Sequence, residues 1–205
     1  MKIFTHTILK NGRQLFQRAI LLSVFTLSCA CESERLYDTE YPVHFTFDTK
    51  LHPTSLISRL VENVNCFLIV NSTLNGQSHT LYIDSNSGIK DTVRINSVDE
   101  NRAITAMGAN NSLVLGCVFG YDLNQSSSDL YTYVAFDRQC PACLENYAGV
   151  NFPLTWGETV NTLTCAKCQR TYLLLGAGGS SDGHRLKTYH ARYDKTQKVF
   201  YVTNM

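Results

Sequence analysis

Polar and apolar positions alternate in short runs along most of this chain. Val43, Phe45 and Phe47 are interleaved with His44, Thr46 and Asp48. A period of two puts one face of a strand in a core and the other in water. Two later runs do not alternate. Residues 66–70 and 113–119 are apolar almost throughout, which predicts central, buried strands. Gly116 inside the second run marks a bulge or a close backbone contact. Asn75-Gly76 and residues 84–88 are turn signals, placing strands at 80–83 and 92–95. Pro53 and Thr54-Ser55 open a short helix through Leu56, Leu60 and Val61, with Glu62 near its end. Residues 108–112 form a polar loop and residues 124–129 a serine-rich loop tip. Further strands are expected at 131–136, 151–156, 160–163 and 171–175. A mobile glycine turn spans 176–183, and a closing hairpin pairs 186–193 with 199–203 around residues 194–196. The pattern shows no internal repeat and reads as an antiparallel, all-β domain.

The chain has 205 residues, enough for one domain with a stable core. A formal charge of +1 argues against a nucleic-acid partner, which calls for a basic patch. Only 17% of residues are charged, and Tyr, Thr, Ser and Asn are plentiful. That balance suits a β-rich extracytoplasmic protein.

The N-terminus resembles an export leader. Lys2, Lys10, Arg13 and Arg18 supply positive charge ahead of an apolar stretch at 19–27, too short to span a bilayer as a stable helix. The stretch ends in Leu27-Ser28-Cys29-Ala30-Cys31, a small residue before a cysteine, which resembles the lipobox of bacterial lipoproteins. Either Cys31 or Cys29 is the candidate for acylation, Cys31 being favoured by the acidic Glu32 and Glu34 after it. An ordinary cleaved leader and a plain anchor are the alternatives. Arg13 and Arg18 are not adjacent, so the leader lacks the twin arginine that marks export of folded proteins. The expected organisation is a signal peptide at 1–31, a polar tether at 32–41 and a β domain at 42–205. The expected location is the bacterial cell envelope, as an outer-membrane lipoprotein held by lipid.

Candidate chemistry sits in cysteines. Cys140-Pro141-Ala142-Cys143 and Cys165-Ala166-Lys167-Cys168 are two C-x-x-C pairs, each at a turn beside a strand-like run. Two intervening residues let both sulfurs of a pair reach one ion, at about 2.3 Å for zinc. The two pairs therefore predict a metal-knuckle subdomain at about 137–183, with Cys140, Cys143, Cys165 and Cys168 as ligands. Structural zinc, a [2Fe–2S] cluster and a set of disulfides or free thiols are three ways to use them. Arg138, Lys167 and Arg170 flank the pairs, as cations that favour thiolates or as solvated surface residues. Neither pair precedes a helical pattern, unlike a thioredoxin-type dithiol. Cys66 and Cys117 lie in the apolar runs, as small buried hydrophobes or as a disulfide.

The run Tyr133-Val134-Ala135-Phe136-Asp137-Arg138-Gln139-Cys140-Pro141 resembles the approach to the first cluster loop of Rieske-type ferredoxin domains. Cys165 to Cys168, Tyr172, the glycine-rich turn and the two last strands resemble the second loop and closing hairpin. The likeness covers roughly residues 112–205. The Rieske pattern is C-x-H and C-x-x-H; here Ala142 and Cys168 hold the histidine positions and Cys143 follows Ala142. Four cysteines thus replace two cysteines and two histidines. The resemblance, which extends to Rieske-like lipoproteins of Bacteroides-type bacteria, implies a Rieske-like β-sandwich. It also implies electron transfer to a redox partner through a [2Fe–2S] cluster as the alternative to a structural zinc ion.

No G-x-S-x-G, H-E-x-x-H, G-x-G-x-x-G or Walker pattern occurs. His44, His190 and His184 read as strand or turn residues, His52 and His79 are isolated, and His6 is in the leader. Tyr131, Tyr133, Tyr189 and Tyr201 read as core or cross-strand residues. No catalytic residue is assigned, and the expectation is a binding or structural role with an unidentified protein or redox partner.

Overall fold

The computed structural model describes residues 38–119, 131–149, 151–176 and 178–204. The expected signal peptide with Cys29 and Cys31, the start of the expected tether and the loop tip expected at 124–129 lie outside them.

Among the described residues, thirteen strands form two antiparallel sheets. The larger takes β1 (Val43–Asp48), β2 (Cys66–Asn75), β3 (Ser78–Ser85), β4 (Lys90–Arg94), β5 (Ile104–Met107), β6 (Ser112–Phe119), β7 (Tyr131–Asp137), β12 (Thr188–Asp194) and β13 (Val199–Thr203). Its order is β4-β3-β2-β6-β7-β12-β13-β1-β5. The smaller takes β8 (Leu154–Trp156), β9 (Thr162–Cys165), β10 (Thr171–Leu173) and β11 (Gly179–Ser180), in the order β11-β10-β9-β8. The all-β, antiparallel expectation holds.

The large sheet curls, because side chains from its two ends share one core. Val93 of β4 and Ile104 of β5 belong to the same buried cluster as Phe45, Phe47, Leu68, Leu115, Phe200 and Val202. A short helix, α1 (Leu56–Leu60), plugs this interior with Leu56, Ile57 and Leu60. Ser55 caps it by accepting from the Ile57 amide at 3.2 Å.

The two unbroken apolar runs are explained by what lies behind them. Leu68 and Val70 of β2, Leu113 and Leu115 of β6, and Ala135 of β7 face the curled interior. Phe67 and Ile69, Val114, and Phe136 of the same strands face a second cluster. That cluster lies under the small sheet and holds Leu154, Leu163, Cys165, Tyr172 and Leu186. Strands covered on both sides cannot alternate. β1, covered on one side, does.

Gly116 is the close contact rather than the bulge. Pairing runs without a break from Cys66↔Cys117 to Asn71↔Ser112. A Cβ at Gly116 would lie 2.5 Å from the Phe67 ring and 2.8 Å from Val134 Cγ2. Among the elements not expected from the pattern are β5, four residues long, and α2 (Val98–Arg102), which buries no residue and is held by its Ser97 cap. The expected strand at 171–175 stops at Leu173 and tightens into a 3-10 turn, Leu174–Gly176. The glycine stretch after it contributes β11, paired to β10.

Candidate metal centre

The first cysteine pair hangs from the end of β7. Asp137 is fully buried and its carboxylate organises the exit. Oδ2 accepts from the Ala109 amide and the Tyr189 hydroxyl, both at 2.7 Å, and Oδ1 accepts from the Gln139 amide at 2.7 Å. Burial nevertheless pushes its pKa up. Cys140 then caps a six-residue helix, α3 (Pro141–Asn146), with Pro141 in its first turn. The Cys140 carbonyl accepts from the amides of Cys143 at 3.1 Å and Leu144 at 3.0 Å. The sequence expectation that neither pair starts a helix is thus corrected. A proline followed by Ala-Cys-Leu-Glu was a sufficient start signal, too short to give a period.

The second pair closes the β9–β10 hairpin. Leu154↔Cys165 and Tyr172↔Leu163 are cross-strand pairs, so Cys165 and Tyr172 share the inward face. The Cys165 carbonyl accepts from the Gln169 amide at 2.8 Å, and the Cys165 amide donates to the Arg170 carbonyl at 2.9 Å. Gln169 takes φ 61 to turn the chain back. This tight loop aims Cys165 and Cys168 together.

The two pairs meet. All four Sγ atoms lie within 4.8 Å of one another. Across the pairs, Cys140 Sγ stands 3.6 Å from Cys168 Sγ, and Cys143 Sγ 3.7 Å from Cys165 Sγ. Cys140, Cys143 and Cys165 are buried and Cys168 is half-buried. All four are free thiols. The group could hold a metal ion.

Electrostatics sort the thiols. Burial pushes Cys140 up, and burial with its three neighbouring thiols pushes Cys143 up. At Cys168 burial works in the same direction. The Arg170 amide and guanidinium, with the Cys140 and Cys143 thiols, outweigh it and bring the group down to about 6. One thiolate thus forms easily, and further ones are opposed unless a cation joins them. Tyr172 adds a polar contact, its hydroxyl 3.2 Å from Cys140 Sγ. Sequence reasoning placed Tyr172 near the second pair but gave it no contact. Its inward position opposite Leu163 is the strand parity that would have shown it.

The three flanking cations part ways. Arg170 faces Cys168 and is also paired with Asp182. Lys167 lies over the Tyr147 ring, 4.9 Å from its centroid. Arg138 turns away: Nε donates to the Leu154 carbonyl at 2.8 Å and Nη1 donates to Asn71. Among the described residues, no histidine joins the four sulfurs. His52 pairs with Glu100 at 2.9 Å, His79 bonds Ser72 Oγ at 2.7 Å, and His184 sits 3.7 Å from Glu145. His44 and His190 are both register partners of Thr203. Tyr133 and Tyr189 are buried, whereas Tyr131 is exposed.

No family model, curated protein or solved structure matches the chain.

Proposed function

We propose that this chain is a bacterial envelope lipoprotein whose β domain carries one structural zinc ion on Cys140, Cys143, Cys165 and Cys168. The observation that carries the reading is the sulfur spacing. Four thiolates about 2.3 Å from one zinc ion stand about 3.8 Å apart, and the two cross-pair separations are 3.6 and 3.7 Å. A cluster of two irons divides its cysteines between two centres, and ligands of different irons stand further apart than ligands of one, whereas all four Sγ atoms here lie within 4.8 Å of one another. Four protein ligands fill a tetrahedron and leave no place for substrate, which is the mark of a structural site. Zinc would supply charge to offset the buried thiolates and cross-link α3 to the β9–β10 turn. The residues do the rest: Gln169 shapes the turn, Arg170 holds Cys168 and Tyr172 holds Cys140.

The leader-like N-terminus supports an envelope location. The spread of Arg13 and Arg18 favours export unfolded, after which zinc can load without cluster assembly. The Rieske resemblance of residues 112–205 supports a second reading, a [2Fe–2S] electron carrier, for which the Tyr172 hydroxyl on Cys140 and Arg170 on Cys168 would tune the potential.

Elemental analysis of the full chain purified from its own envelope separates the two. The expected outcome is one zinc per chain and a colourless protein. Iron with visible absorption would replace the zinc reading by the electron carrier, and a metal-free protein with four freely alkylated knuckle thiols would end both.

A further inference from the structure

Cys66 and Cys117 remain after the knuckle cysteines are accounted for. Cys66 opens β2, Cys117 lies near the end of β6, and they are direct register partners. β3, β4, α2 and β5 separate them in sequence. Antiparallel partners have Cα atoms about 4.5–5.5 Å apart, inside the span of about 4.4–6.8 Å that a disulfide bridges. Both side chains pack on the curled interior, Cys117 within the cluster and Cys66 against it. Asn65, at φ 58, donates its amide to the Cys117 carbonyl at 2.7 Å. That bond pins the start of β2 to its partner, so the pair is held before any bond forms.

We propose that Cys66 and Cys117 form a cross-strand disulfide when the folded protein meets a disulfide oxidant, while the four knuckle cysteines remain thiolates on their metal. Cys66 is partly exposed and Cys117 is buried, which sets the order of events. The Cys66 thiolate attacks one sulfur of the oxidant, breaking its S–S bond and releasing one thiolate. The Cys117 thiolate then attacks the Cys66 sulfur of the mixed disulfide and releases the second. The two cysteines are oxidised and the oxidant reduced by two electrons. The protons of Cys66 and Cys117 pass to the two released thiols. Burial pushes both thiols up, Cys117 to about 11, so the reaction is slow and the product persists. The bond would staple the β2-β3-β4 end of the sheet to the β6–β7 pair. It rests on export to an oxidising compartment only for where the bond forms in the cell.

The test incubates the full chain, loaded with zinc, with excess glutathione disulfide, then unfolds it, alkylates it and maps peptides without reduction. The expected result is a Cys66–Cys117 linked peptide lighter by two hydrogens, with zinc content unchanged. In Cys117→Ser the second attack is impossible, and Cys66 should carry one glutathione instead. Alkylation of both Cys66 and Cys117 in the treated wild type would overturn the proposal. So would a link from either residue to a knuckle cysteine. An unmodified Cys66 in the folded Cys117→Ser variant would overturn the order of attack. Loss of zinc from the chain before oxidation would count against the metal reading alone, because the mapped Cys66–Cys117 link is scored separately.

Discussion

The curled sheet and the cysteine layer on its outer face solve the same problem with different means. The sheet buries Phe45, Phe47, Phe200, Leu68, Leu81 and Ile83 among themselves. Each such side chain is worth about 1.5–3 kcal/mol when removed from water, and strands of up to ten residues supply continuous pairing. The outer layer has strands of two to four residues. Its largest buried side chain is Tyr172, which spends its hydroxyl on a sulfur. Leu173, Leu175 and Val160 stay exposed there. Short strands joined by polar turns bury little among themselves. Leu154, Leu163, Leu174 and Leu186 close on Phe67, Ile69, Val114 and Phe136 of the large sheet. Cys140, Cys143 and Cys165 are buried in the same cluster, where on the proposed reading a metal would add the remaining cross-link. A region can thus be specified by bulk or by a ligand set, and the two should fail differently.

The largest expected effect follows from removing a ligand. Cys165→Ser leaves three sulfurs and should abolish tight metal binding. Metal binding free energy is folding free energy in such small sites, at about 10–16 kcal/mol for comparable zinc peptides. Amide exchange across residues 151–183 should then speed by roughly a hundredfold or more, while β2, β3 and β6 keep their protection. Equal protection of the layer in mutant and wild type would erase the distinction between the two regions.

A deletion in the large core should act the other way. Phe200 is fully buried between β1 and β12 and meets the Tyr133 ring edge-on at 5.5 Å between centroids. Phe200→Ala should cost about 3–5 kcal/mol and lower the chemical denaturation midpoint of the whole domain. Metal content of the folded fraction should not change. A loss of metal in proportion to stability would mean that the core and the layer are one cooperative unit.

The smallest effect tests the joint. Asp137 links β7 to the first knuckle and its folded pKa lies above its ordinary value. A carboxyl with a raised folded pKa binds its proton more tightly in the native state. Its contribution to stability is present below the unfolded pKa, near 4, and is lost as pH rises through the folded value. Asp137→Asn keeps one acceptor oxygen, enough for the Ala109 amide and the Tyr189 hydroxyl, and turns an amide donor toward the Gln139 amide, which loses its acceptor. It should flatten the fall in stability above about pH 4, with a shift of roughly 1 kcal/mol in that range. The check is urea denaturation of both forms across pH; parallel profiles would show that Asp137 contributes no linkage.

The legibility of each region in the sequence follows from the same contrast. Alternation in residues 43–48 and 199–203 marked strands covered on one side, and the apolar runs at 66–70 and 113–119 marked buried ones, because burial leaves a direct record in residue polarity. The C-x-x-C spacing named all four sulfurs that converge, since two residues between thiols restrict each pair to one turn. The helix after Cys140 left no such record: six residues give less than two turns, and only Pro141 signalled it. β5 was lost for the same reason, four residues offering too few positions to show a period of two.

By itself the sequence determined the antiparallel all-β class, most strand positions and the identity of the clustered cysteines. Each of these is written in local polarity or local spacing. The tertiary structure alone decided that the large sheet curls, that β2, β6 and β7 are covered on both faces, and that Cys66 stands opposite Cys117. It also decided that Arg170 faces Cys168 while Arg138 turns to Leu154 and Asn71. Those outcomes depend on which strand lies beside which, and strand order is fixed by contacts between residues far apart in the chain, where no local pattern reaches.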